Sequence, residues 1–135
     1  MKKLLSTKYS AGAFNVAMLI LRVTVGLLMM SHGYDKLVKF SDRKDQFMNF
    51  MGLGSTTSLG LVVFAEFFCS ILLILGLFTR FATIPLIIVM SVILFKVTQG
   101  NFFDKGELPA LFLAAYFTLL FVGPGKASVD GMIGK

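Results

Sequence analysis

Four stretches of this chain are apolar over lengths that a soluble fold has little use for. Residues 81–95 and 108–125 carry no charge, 13–33 carry one in Arg22, and 59–78 carry one in Glu66. At a rise of about 1.5 Å per residue, segments of this length cross a hydrocarbon core of roughly 30 Å. Backbone polar groups in lipid find no partner outside their own segment, so each stretch must be helical. Composition agrees: 56% of the 135 residues are hydrophobic and 15% charged. That excludes a disordered tail, and the lone Cys69 excludes a disulfide scaffold.

The reading is an all-α fold, a polytopic membrane protein forming a four-helix transmembrane bundle in one domain over residues 1–135. The expected spans are about 13–33, 59–78, 81–99 and 108–125. The third reaches 99 because Lys96 can snorkel from a helix end, and Pro85 falls in its first turns. Thr79-Arg80 is the tightest connection and turns spans two and three into an antiparallel hairpin. The fourth span has Pro109 in its first turn and stops at Gly123-Pro124-Gly125. Between the first two spans, Phe47, Met48, Phe50, Met51 and Leu53 follow a charged stretch. They are expected to form a short interfacial helix over about 42–54, with an ordinary solvated loop as the alternative.

Lys2, Lys3 and Lys8 resemble the basic start of a signal peptide. The apolar stretch after them is too long for an h-region, contains Arg22 and lacks an A-x-A-like exit, so it is read as a retained span. Basic residues divide six against six between the two membrane sides. The compact basic start then places both termini in the cytoplasm. The net charge of +6 flanks spans and lies on no soluble basic stripe, which points to anionic lipid and away from nucleic acid.

An ionisable residue near the bilayer centre costs about 2.5–3.5 kcal/mol on insertion scales, so it needs a partner or a purpose. Arg22 and Glu66 are near the middle of consecutive antiparallel spans and are expected to meet. Two readings stand. One is an inward ion pair that only fixes packing. The other is a polar pocket for a ligand headgroup or a proton step, with Arg22 and Glu66 as catalytic candidates. Asn15, Arg22, Gly26, Met29, Gly33 and Lys36 share one helical stripe, and Cys69 and Ser70 share a face with Glu66. Gly26 and Gly33 on that stripe would let a neighbouring helix approach closely. His32 lies near the outer end of the first span beside Lys36. Arg22, Glu66, His32, Lys36 and Cys69 are therefore the candidate cofactor-binding set. Tyr116 and Thr118 are placed to bond inward or simply to join helices. Haem ligation by His32 with Met29 or Met30 is weakly supported, because no second histidine exists. The sequence holds no metal cluster, P-loop, G-x-G-x-x-G or C-x-x-C, and a single thiol cannot run disulfide exchange alone.

Leu21-Arg22, Gly26, His32-Gly33 and Lys36-Leu37 form a first block. Gly52-Leu53, Glu66 and Leu75-Gly76-Leu77-Phe78-Thr79-Arg80 form a second, and Gly123-Pro124-Gly125 with Ser128-Val129-Asp130 a third. In this order, over nearly the whole chain, the blocks resemble the DoxX family. The resemblance implies a four-helix bundle in the bacterial cytoplasmic membrane with both termini inside. Its DoxD branch is similar to the membrane subunit of a thiosulfate:quinone oxidoreductase, and other members are associated with membrane oxidoreductase complexes. It thus implies a membrane subunit binding a quinone or similar amphipathic molecule. A partner redox protein would exchange the electrons, since the chain carries no soluble redox domain; a homo-oligomer is the other expected assembly. A non-catalytic accessory or assembly subunit and, less favoured, a small transporter remain as alternatives.

Overall fold

The computed structural model describes residues 5–43, 52, 54–97, 103 and 106–133. Helix α1 (Ala11–Val38) starts where the Ser10 hydroxyl accepts a bond from the Ala13 N–H at 3.0 Å, satisfying one of the amides that a helix start leaves without a partner. Helix α2 (Ser55–Leu75) begins after Gly54 and carries a π-helical turn at Phe64–Cys69. Helix α3 (Thr79–Lys96) contains Pro85 and ends in a second π-helical turn, Ile93–Val97. Helix α4 (Glu107–Val122) is followed by a one-turn helix, α5 (Val129–Ile133). A four-residue helix, Phe40–Arg43, follows α1.

Among the described residues, four longer helices pack into one bundle. Three are long and apolar enough to cross a membrane, while α4 has 16 residues and reaches only about 24 Å. Most of the expected interfacial segment at 42–54 lies outside the described residues, as do 98 and 99 at the end of the third span.

The hairpin between α2 and α3 is displaced from its expected position. α2 stops at Leu75 and α3 starts at Thr79, so Thr79-Arg80 belongs to a helix and the turn is formed by residues 76–78. The cause is Gly76, held left-handed at φ 73°. Its N–H bonds Leu73 O at 3.1 Å and the Leu77 N–H bonds Leu72 O at 2.9 Å. This paired helix end needs a residue that tolerates positive φ, and Gly does so without steric cost.

Close approach of α1 and α2 sets the register of the bundle. A Cβ on Gly33 would stand 2.6 Å from Phe67 N and 2.7 Å from Glu66 C, so the two backbones touch there. One on Gly26 would stand 3.2 Å from Ser70 O. Small residues allow this spacing where lipid supplies no hydrophobic drive. Inside, Met29, Cys69, Leu73, Leu86, Met90, Phe112, Tyr116 and Leu119 make one core. Outside, Ile20, Leu27, Phe64, Phe68, Phe81, Ile88, Phe95, Leu111 and Phe121 are exposed. An apolar surface of that extent is a liability in water and the expected coat in lipid.

Candidate functional site

Glu66 sits in the π-helical turn of α2 and is buried, its side chain 2% exposed. It is paired with Lys36 of α1: Nζ stands 2.7 Å from Oε2. The Lys36 side chain keeps 19% of its surface. Helical side chains lean toward the N-terminus, which carries Lys36 back one turn toward Gly33, where α2 comes closest. Gly33 thus seats the pair as well as the helices.

Two further groups join it. Cys69 follows Glu66 in the same turn and is 2% exposed. From α4, Tyr116 is fully buried, and its hydroxyl has no hydrogen-bond partner. It lies within electrostatic range of both Glu66 and Cys69. Ser70 Oγ is likewise buried without a partner. Phe112 stacks on Tyr116 at 5.9 Å between ring centroids, and the exposed ring of His32 meets Phe112 edge-on at 6.4 Å. His32, Phe112 and Tyr116 therefore connect the outer surface of the bundle to its polar centre.

Arg22 stands elsewhere, which corrects the expected pairing with Glu66. It is 2% exposed, donating from one terminal nitrogen to Pro124 O and from the other to Ala127 O, both at 2.8 Å. Its Nε has no partner. The reason is register: the close contacts that lock α1 onto α2 put Gly33 against Glu66 and Phe67 and Gly26 against Ser70 and Ile74. Gly33 faces Glu66 while Arg22 faces Gly76, and the 11 residues between the two α1 positions amount to about 16 Å of axial offset.

Around Arg22 the C-terminal segment folds back over the α2–α3 turn. Asp130, in electrostatic contact with Arg22, accepts from the Phe78 N–H at 3.0 Å and the Thr79 N–H at 3.1 Å. It caps the start of α3 where a negative charge suits the helix dipole. The Asp130 N–H returns a bond to Gly76 O at 2.9 Å, and Ser128 packs against Gly76. The cap also holds Phe78 in its left-handed conformation, φ 49°.

Of the five predicted site residues, the structure gathers Lys36, Glu66 and Cys69. It leaves His32 at the surface and assigns Arg22 to a separate cluster. Tyr116 belongs with the first three, and sequence offered only that it could bond inward. Asp130 is a second addition: nothing local links it to a turn some 50 residues earlier. Chemically, the Glu66 cluster offers a carboxylate acceptor, an ammonium donor and a phenol able to do both. No group of three or more His, Cys, Asp or Glu side chains suited to a metal occurs among the described residues.

No curated protein and no solved structure matches this chain. The DoxX family model matches residues 17–99. That interval contains Arg22, His32, Gly33, Lys36, Glu66, Cys69 and the α2–α3 turn, while the third resembling block and Tyr116 fall beyond it. With the match covering more than half of its length and a bundle of apolar helices built on those residues, the chain is a membrane protein of the DoxX family.

Proposed function

We propose that this protein is a membrane subunit of a quinone-linked redox system and that Lys36, Glu66 and Tyr116 hold the polar head of its ligand. The observation that carries the reading is the Tyr116 hydroxyl, buried without a partner and within electrostatic range of Glu66, whose ion pair with Lys36 is partly buried. A buried hydroxyl with no partner forfeits about 1–3 kcal/mol, which a ligand carbonyl accepting its proton would restore. A quinone supplies two such carbonyls and, on reduction, takes up protons with its electrons. In this reading Glu66 exchanges a proton with the bound head, and Lys36 steadies the carboxylate through its 2.7 Å bond to Oε2. Approach from the bilayer runs past His32 and Phe112, and the electrons come from a partner protein. Arg22 has no part in this site, and Cys69 borders it without contributing a redox pair.

The test is binding of a short-chain ubiquinone to the protein in lipid nanodiscs, followed by fluorescence or absorbance. Tyr116→Phe and Glu66→Gln should each weaken binding about tenfold, the cost of one good hydrogen bond. Asp130→Asn, remote from the cluster, should leave it unchanged. Equal binding by wild type and Tyr116→Phe would reject the site. No saturable binding at all would favour the accessory-subunit reading.

A further inference from the structure

At the end of the bundle that carries the α2–α3 turn, a cleft of about 790 Å³ opens between the start of α1, the start of α3 and the segment after α4. It is remote from the Glu66 cluster, and its makeup differs. Phe14, Phe78 and Phe81 give it aromatic walls, and Arg80 and Lys126 bring two cations to it. Both cations are exposed, and neither forms a salt bridge among the described residues. Arg80 makes only a long bond, 3.5 Å, to Val122 O. Asp130 also lines the cleft, but its two oxygens are taken by the Phe78 and Thr79 amides and Arg22 lies beside it. The charged lining is thus two cations against one carboxylate that is already bonded within the protein. Concavity comes from Gly123 at φ 92° and Gly125 at φ 81°. A Cβ on Gly123 would press on the Arg80 guanidinium at 3.3 Å, so the glycine leaves room for it.

From these features we infer that the cleft is a binding site for an anionic phospholipid, its phosphate held by Arg80 and Lys126 and its upper acyl chains against Phe78 and Phe81. The position fits: helix ends mark the bilayer edge, and basic pockets between helices there attract anionic headgroups. Aromatic side chains at the same level are matched to the interface. The overhang of α1 supplies one wall, since its first residues run past the α2–α3 turn and bind the following segment. There Asn15 Oδ1 accepts from the Lys126 N–H at 3.0 Å, which fixes the backbone under that cation.

Native mass spectrometry of the detergent-solubilised protein, titrated with phosphatidylglycerol, phosphatidylcholine or inorganic phosphate, tests this. Phosphatidylglycerol should bind most tightly, weakening about fivefold in Lys126→Ala and about 25-fold in Arg80→Ala/Lys126→Ala. Lys8→Ala, an exposed charge outside the cleft, should bind as wild type. Lys126 is itself exposed, so its variant folds even if the double variant does not, and helicity by circular dichroism verifies this. Unchanged phosphatidylglycerol binding in Lys126→Ala, or an equal loss in Lys8→Ala, would overturn the site. Inorganic phosphate binding as tightly as the lipid would overturn the lipid assignment in favour of free phosphate.

Discussion

Removing Lys36 and Glu66 singly and together should reveal a strong coupling that Arg22 and Glu66 lack. Lys36→Met strands a carboxylate whose side chain is 2% exposed, and breaking a buried pair in this way costs about 3 kcal/mol. Glu66→Gln is milder, about 1.5 kcal/mol, because the lysine retains 19% of its surface and its ammonium can snorkel outward. The double variant leaves no buried charge and should cost no more than about 1.5 kcal/mol, giving a coupling near 3 kcal/mol. Arg22→Gln with Glu66→Gln should instead be additive within about 0.5 kcal/mol, since their clusters share no partner. Unfolding by sodium dodecyl sulfate in mixed micelles, followed by helicity, measures all of these. Additivity of Lys36 with Glu66, or coupling of Glu66 to Arg22 above about 1 kcal/mol, would refute the register that places Gly33 beside Glu66.

Gly33→Ala forces a methyl into the backbone of α2 and should destabilise the bundle by about 1–3 kcal/mol, whereas Gly12→Ala, with nothing within 4 Å, should be neutral or slightly stabilising in the same unfolding assay. Asp130→Ala removes the cap from the Phe78 and Thr79 amides and should cost about 1–2 kcal/mol. It should also speed proteolysis after residue 123 in reconstituted protein. Tyr116→Phe deletes a hydroxyl without a partner and should leave stability unchanged or raised by up to about 1 kcal/mol, while the proposed site requires that it weaken quinone binding. Stability and affinity moving in opposite directions in that one variant would distinguish a ligand group from a packing group.

Helix class and the outward apolar coat were legible in the sequence because the bilayer permits so few arrangements of charge-free segments. Gly26 and Gly33 were legible as a contact stripe for the same reason. The partner of Glu66 was not, although Lys36 lay on the expected stripe. Depth was counted from the middle of each apolar segment, but α1 overhangs the bundle, and glycine contacts rather than midpoints set the register. The roles of Tyr116 and Asp130 depend on contacts across 50 residues or more, which periodicity does not encode.

The bonds from Arg22 to Pro124 and Ala127 bridge 102 and 105 positions of the chain, and that separation imposes an order in time. Arg22 enters the membrane with the first helix, but its acceptors do not exist until the fourth has been made. At about 5–20 residues per second, the guanidinium waits roughly 5–20 s in α1 before the returning segment can satisfy it. Throughout that interval α1 is an incomplete span, open to early recognition by insertion or quality-control machinery, and only a chain whose last helix is correctly placed can close the account.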